Sequence, residues 1–358
     1  DRWHTRPDMP AKVRGALPYL TDVRAPGMLV GRILRAAYPH AEILRIDTRR
    51  AEALPGVHAV VTHRDIAGLN GFGIVLQDQP ALCADKVRYS GDPVAAVAAI
   101  DAQVAEAALA LIEVEYAPLP VVTDPEMALM PSATQVHDNG NLVSEITHAK
   151  GDLTEGWAKA VHVIEDTYVT PRQMHGFMET EGGWAAPDGP QNDGILVCAG
   201  GQHGARDRLQ LSRILDLPED KIRVISSPTG GAFGGKDELT VQPVLALLAR
   251  KSGRAVRLHL SRAESVQAGT KRNPMRIRMK TGCDATGRLV AQEVDVLSDC
   301  GAYASLSPGV LETAMEHAAG PYVIENIQTR GRLAYTNNGT CGAFRGFGAN
   351  QMSYAIEC

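Results

Sequence analysis

Apolar residues in the first third of the chain recur with two periods. MLVGRILRA (from Met28), AEILRIDT (from Ala41) and VHAVVT (from Val57) alternate apolar with polar positions or run apolar for several residues, which predicts strands. RRAEALPG between the last two reads as a helical turn, and VAAVAAI (Val94 to Ile100) as a further strand. DAQVAEAALALIEVEY then changes to helical spacing, with Asp101 as N-cap and Val104, Ala107, Ala108 and Leu111 as the apolar stripe. From about Gly27 to Val122 the pattern predicts a small α+β domain.

Pro118, Pro120, Pro125 and Pro131 interrupt Ala117 to Asn141, where few apolar residues are periodic, so this segment reads as a connection. The expected division is therefore 1–130 with a linker to about 148, then 149–358. In the second region AVRLHLSR is a strand pattern. Met275, Ile277 and Met279 alternate with basic residues, and Gly282, Asp284 and Gly287 turn the chain into RLVAQEVDVLSD as a hairpin. ARDRLQLSRILDL and DELTVQPVLALLARKSG are expected helices, the second closed by Gly253.

Composition narrows the function classes. The 358 residues carry 44% hydrophobic and 22% charged side chains, a net charge of −5 and a pI near 6.1. Basic residues are scattered, so nucleic acid is excluded as a partner. Apolar runs such as Pro93 to Ile100 and Val241 to Ala249, the latter broken by Pro243, are too short to span a bilayer, and DRWHTRPDMP has no apolar core for secretion. Six dispersed cysteines without a CxxC or CxxH pair predict a reduced, cytoplasmic protein whose cysteines nucleate no zinc or iron–sulfur site, so that any redox centre is held by something other than cysteine ligands or lies on another chain.

Candidate chemistry concentrates in three glycine-rich segments: GGQHG (Gly200 to Gly204), TGGAFGGKDE (Thr229 to Glu238) and GTCGAFRGFGANQ (Gly339 to Gln351). Glycine lets a backbone approach a bulky anionic ligand closely, although such loops also serve as plain turns. Gly230 to Lys236 has the GxxxxGK spacing of a phosphate-binding loop, so a nucleotide-binding protein is one alternative and an inactive scaffold fragment another. Against the nucleotide reading, Asp237 and Glu238 follow the lysine where Ser or Thr should hold magnesium.

GGQHGARDRLQ, TGGAFGGKDE and GAFRGFGANQ, in this order and spacing, resemble the first molybdopterin-binding domain of the xanthine dehydrogenase and aldehyde oxidase family of molybdenum hydroxylases. The preceding region, including KVRYSGDPVAAVAA, is similar to that family's α/β hammerhead domain. The resemblance implies an α+β fold of hammerhead then molybdopterin-binding domain, and nearly the whole chain takes part. It implies a molybdenum–molybdopterin cofactor, with the cytosine dinucleotide form as one alternative, held through Gln202, Gly231, Phe233, Gly234 and Arg345. It implies hydroxylation of a small molecule with water as oxygen donor, and electrons leaving through iron–sulfur and FAD partner chains.

Departures from the family pattern bear on substrate. Purine-oxidising members carry a glutamate and an arginine where this chain has Asp237 and Thr313, and Thr cannot replace a planar, permanently charged donor set. An N-heteroaromatic compound such as nicotinate, or an aldehyde, is the expected substrate, with Asp237, Thr313 and Phe347 facing it. Gly346 stands where carbon monoxide dehydrogenase has cysteine, which counts against carbon monoxide. The GVGE-like segment bearing the family's catalytic glutamate does not occur, so no catalytic residue is expected in this chain. Glu179, Glu181 and His175 of QMHGFMETEGG read first as structural groups. The remaining half of the large subunit, or a second molybdopterin subunit, is the expected partner; ending at MSYAIEC suggests a cut or split within the domain.

Overall fold

The computed structural model describes residues 3–191 and 193–358, so Asp1 and Arg2 of the segment read for a secretion signal lie outside the described residues. Two sheets organise the chain. The larger has seven strands in the spatial order Ile222–Ser226, Gly194–Ala199, Gly182–Asp188, Val256–His259, Leu29–Arg35, Pro93–Ala99 and Val57–Val61. Its last three strands come from the first sequence region and its first four from the second. The junction is a parallel pairing, Leu29 opposite Val256 and Val30 opposite Arg257.

Alanine makes this junction compact. Val94 to Ala99 are fully buried, since both faces of the strand are covered, and a strand buried on both faces carries a continuous apolar run instead of alternation. On one face Ala96 and Ala98 join Leu29, Ile33, Val256 and Leu258 beneath Leu245 and Leu248 of the helix Gln242–Ser252. On the other, Ala95, Val97 and Ala99 pack against Ala105 and Ala108 of the helix Ala102–Leu109. Asp101 caps that helix as expected, accepting from the Val104 N–H at 2.8 Å. The buried stripe, however, runs through Ala105 and Ala108, and Ala107 faces solvent; the sheet surface, not the bulk of the side chains, selects the inward face.

The second sheet has five strands in the order Leu142–Lys150, Ile327–Tyr335, Leu289–Gly301, Met275–Cys283 and His162–Thr170. The expected hairpin is present, Met275–Cys283 pairing antiparallel with Leu289–Gly301. Met275, Ile277 and Met279 point into a core closed by the helices Ser307–Glu316 and Ala349–Glu357. The opposite face carries cross-strand ion pairs, among them Arg330–Glu145 and Arg332–Asp295, both at 2.8 Å.

Two expectations need adjustment. Ala117 to Asn141 is not a free tether: Asn141 donates to the carbonyls of Ala128 and Thr134 and accepts from Val136 N–H, while Val122 N–H donates to Asn337. The helix expected from Asp237 begins at Gln242, because Glu238 is engaged by other donors and the Gln242 carboxamide oxygen accepts from Thr240. Pro243 then sits in the first turn, where its missing N–H costs nothing, and Gly253 closes the helix at φ 65°.

Buried polar groups pin the two sequence regions together. Asp92, wholly buried, accepts from the Tyr303 hydroxyl at 2.9 Å and from the Arg88 N–H at 2.6 Å. Asp78 accepts from the Tyr335 hydroxyl at 2.7 Å and the Ala304 N–H at 2.8 Å. Burial pushes the Asp92 carboxyl up to about 6, so at pH 8 it is ionised and depends on its donors. Tyr303→Phe is expected to lower the unfolding free energy by about 1–3 kcal/mol at that pH, measured by urea denaturation. A change under about 0.5 kcal/mol would show that the hydroxyl contributes nothing to the seam.

Candidate cofactor site

Each glycine-rich segment connects a strand to a helix. GGQHG follows Gly194–Ala199 and leads into Gly204–Leu215; TGGAFGGKDE follows Ile222–Ser226 and precedes Gln242–Ser252. Those two strands are parallel neighbours, with Ala199 opposite Ser226, so both loops leave the same carboxyl-terminal edge of the sheet. Such edges are where open α/β sheets bind ligands. GTCGAFRGFGANQ connects Ile327–Tyr335 of the other sheet to Ala349–Glu357.

Three hydrogen bonds join these loops. Gln202 N–H donates to Lys236 O at 3.0 Å, Gly234 N–H donates to the Gln202 side-chain oxygen at 3.0 Å, and Arg345 N–H donates to Phe233 O at 2.8 Å. Four residues named from the sequence thus form one cluster, Gln202, Phe233, Gly234 and Arg345, with Gly231 in the same turn. Phe233 and Phe347 both have positive φ, 53° and 46°, a conformation that bulky residues adopt only when their surroundings impose it.

The glycines answer to protein packing more than the sequence suggests. A Cβ on Gly231 would lie 2.9 Å from Phe177 Cβ, and one on Gly234 would lie 2.7 Å from the Ala343 carbonyl carbon. Both also have φ near 100°. The backbones of separate motifs stack directly on one another here, and this close approach requires glycine before any ligand is considered.

QMHGFMETEGG forms the bed beneath. The His175 ring is stacked on Phe344 with centroids 4.1 Å apart, and its Nε2 lies 2.8 Å from Ala343 O. Burial holds its pKa down to about 4, so the imidazole is neutral at physiological pH. Lys236, whose side chain has no exposed surface, donates to Glu179 O at 2.9 Å and lies 3.3 Å from its carboxylate. It also sits 4.8 Å from the Phe177 ring centroid. Burial lowers the Lys236 pKa against the opposing pull of Glu179.

This placement removes the phosphate-loop alternative. A nucleotide-binding lysine must reach outward to phosphate oxygens, whereas Lys236 is turned inward and its ammonium is engaged by Glu179. Glu179 in turn accepts from Gly230 N–H at 3.3 Å, which leaves it a structural partner.

Arg272 completes the bed and was not singled out by the sequence. Its guanidinium donates to Gln173, Gln351 and Arg345 O at 3.1, 3.4 and 3.0 Å and stacks 3.8 Å from the Phe344 ring centroid. Nothing in KRNPMRIRMK marks this role, because all its partners are distant in the chain.

The substrate candidates do not form a single group. Asp237 Oδ1 lies 2.8 Å from His203 Nε2 and 3.9 Å from Arg206, toward the first loop and its helix. Thr313 stands on the helix Ser307–Glu316, one turn beyond Gly309, where an added Cβ would lie 3.3 Å from the Phe347 ring. No hydrogen bond or ion pair joins Asp237 to Thr313 or Phe347 among the described residues.

The donor set suits an anionic group. With its oxygen fixed by Gly234 N–H, the exposed Gln202 amide presents Nε2 as a neutral donor that bonds to no protein atom among the described residues. Of the carboxylates beside the loops, Glu179 is paired with Lys236, and Asp237 lies 2.8 Å from His203 Nε2 and 3.9 Å from Arg206. Among the described residues there is no cluster of three or more His, Cys, Asp or Glu able to hold a metal ion directly.

Comparisons with known proteins show the family and the fold. Residues 136–358 match the molybdopterin cofactor-binding domain, and residues 14–120 match the aldehyde oxidase and xanthine dehydrogenase a/b hammerhead domain. The chain is 55% identical over 352 residues to a probable xanthine dehydrogenase subunit of Bacillus subtilis, covering 98% of the chain and 47% of that protein. It is 39% identical over 348 residues to the nicotinate dehydrogenase large molybdopterin subunit of Eubacterium barkeri, covering 97% of the chain and 81% of that protein. The aldehyde oxidoreductase structure from Desulfovibrio gigas superposes with a TM-score of 0.92 at 30% identity, over 98% of this chain and 40% of that one. The chain thus spans about half the length of the Bacillus relative.

Lys236→Met is expected to destabilise the protein by about 3–5 kcal/mol, because it strands a buried carboxylate. Lys236→Met/Glu179→Leu should recover much of that loss in the same denaturation assay. Mg-ATP should leave the melting temperature of the wild type unchanged; a Lys236-dependent rise would reinstate the phosphate loop.

Proposed function

The chain belongs to the aldehyde oxidase and xanthine dehydrogenase family, as a hammerhead domain followed by a molybdopterin-binding domain, and we propose that it forms the cofactor-holding part of a multisubunit molybdenum hydroxylase acting on an N-heteroaromatic compound or an aldehyde. The observation carrying this reading is the hydrogen-bonded joining of the three glycine-rich loops around an amide donor left free, Gln202 Nε2.

In this reading Gln202, Gly231, Phe233, Gly234 and Arg345 hold the molybdenum–molybdopterin group, with the cytosine dinucleotide form as one candidate. Bound there, the cofactor supplies a two-electron oxidation that takes its oxygen from water. The chain's own contribution is to place donors and exclude disorder. Gln202 offers a neutral N–H to an anionic oxygen in an orientation set by Gly234, and a donor held in place beforehand needs no reorganisation as charge develops. Phe233 and Arg345 act through their backbones, which are locked to each other. Asp237, Thr313 and Phe347 line the approach for substrate. The base glutamate, the iron–sulfur clusters and FAD belong to the remaining half of the large subunit and to partner chains. Support for such partners is that similar proteins are themselves named as subunits.

A second reading, purine oxidation, is favoured by the name of the 55% identical Bacillus relative. Against it, Asp237 is drawn onto His203 and Thr313 supplies no planar cation.

The test is steady-state turnover of the assembled complex. Nicotinate or an aromatic aldehyde should exceed xanthine in kcat/KM by at least about tenfold, and the opposite ranking establishes the purine reading. Gln202→Ala should lower kcat by about a hundredfold or more, on the scale of losing one preorganised donor; undiminished turnover in that variant counts against the cofactor assignment.

A further inference from the structure

Five residues beyond Gln202, in the helix Gly204–Leu215, the Asp207 carboxyl folds back against the first glycine loop. A Cβ on Gly201 would lie 2.7 Å from Asp207 Oδ2, so loop and carboxyl are in close contact and any larger residue there must displace the carboxyl. Asp207 is 2% exposed. Its donor is Gln242 Nε2 at 3.3 Å, and the orientation of that amide is set because its oxygen accepts from Thr240 N–H at 2.7 Å.

The groups facing Asp207 are acidic or neutral. Glu238, also buried, accepts from Gln210 Nε2, Leu239 N–H and Ile74 N–H. Asp237 is the second carboxylate nearby, and its neighbours His203 and Arg206 are directed at it. Gln242 on the adjoining helix is neutral. Among the described residues no Lys, Arg or His lies within ion-pair distance of Asp207 or Glu238. A charge on Asp207 would be desolvated and would face two like charges.

We propose that Asp207 is the positioning residue for Gln202: uncharged, it packs against Gly201 and seats the Gly200–Gln202 turn, and its ionisation loosens that turn and the hold on whatever Gln202 binds. The proposal rests on the reading of Gln202 as a cofactor contact. Asp207 acts through the turn and touches neither cofactor nor substrate.

The sign of the pH dependence follows from burial, which raises the Asp207 pKa from 3.8 to about 7, with Glu238 and Asp237 pushing the same way. A carboxyl whose folded pKa is raised contributes stability that is complete below its unfolded value and is lost as pH rises through the folded value. The turn should therefore be tightest near pH 4, loosen progressively as pH rises, and be loosest above about pH 7.

Hydrogen exchange of the Gln202 amide, which donates to Lys236 O, reads the turn directly in the assembled complex. Protection, corrected for the intrinsic exchange rate, should fall in the wild type by up to about tenfold per pH unit between about pH 4 and pH 7 and level off above, the span between the unfolded and folded values. Asp207→Asn, a neutral mimic of similar shape, should hold protection constant to about pH 8.5, and its molybdenum content after dialysis at that pH should exceed that of the wild type. Gly201→Ala should lower protection at every pH, and pairing it with Asp207→Gly should restore it, an independent check should Asp207→Asn fail to fold. Matching protection profiles for wild type and Asp207→Asn overturn the proposal, as does a Gly201→Ala turn indifferent to Asp207. A complex devoid of molybdenum whose turn still responds to Asp207 overturns the cofactor reading and sustains the positioning role.

Discussion

The Lys236 side chain, buried without exposed surface and bonded to Glu179, is the constraint on which the arrangement of the glycine-rich loops depends. Taking an ammonium and a carboxylate out of water is costly, and only close pairing with further hydrogen bonds offsets it. Here the further bonds are specific. Lys236 reaches the Glu179 backbone carbonyl, Glu179 accepts from Gly230 N–H, and the Lys236 carbonyl accepts from Gln202 N–H. One residue thereby ties the first loop, the second loop and QMHGFMETEGG into a unit. His175 and Arg272 extend it to the third loop through Ala343 and Arg345.

The rigidity of that unit is borrowed from the seam between the two sequence regions. The seven-stranded sheet is continuous across them. The Gly73 and Ile74 amides of the first region donate to Gln210 and Glu238, directly behind the first two loops. Asp92 with Tyr303 and Asp78 with Tyr335 fix the same seam at a second place. Because Asp92, Gln210 and Glu238 are buried and Asp78 is half-buried, loss of one donor leaves a largely desolvated group without compensation, which makes this interface cooperative instead of adaptable.

Much of this was legible from local pattern. The strand alternation of Met275 to Met279, the all-apolar run at Val94, the Asp101 cap and the Gly253 stop depend on neighbours within a few residues, and those readings survive. The three motifs pointed to the family by their order and spacing, and residues 136–358 match its molybdopterin cofactor-binding domain. What sequence concealed was non-local. It showed glycines at Gly231 and Gly234 but not that Phe177 and Ala343 press on them. It showed a lysine at phosphate-loop spacing but not that Glu179 turns it inward, and it gave no sign that Arg272 stacks on Phe344. Asp237, Thr313 and Phe347 are expected together at a substrate site by motif, yet Asp237 makes its polar contacts with the first loop and its helix.

The central claim is that these joined loops hold a molybdenum–molybdopterin group as one part of a larger enzyme. Metal and pterin analysis of the complex purified from its native host, with its subunits identified by mass spectrometry, tests it most directly. The account predicts near-stoichiometric molybdenum and pterin together with a polypeptide segment bearing the GVGE-like glutamate motif. Freshly isolated complex containing neither molybdenum nor pterin would contradict it.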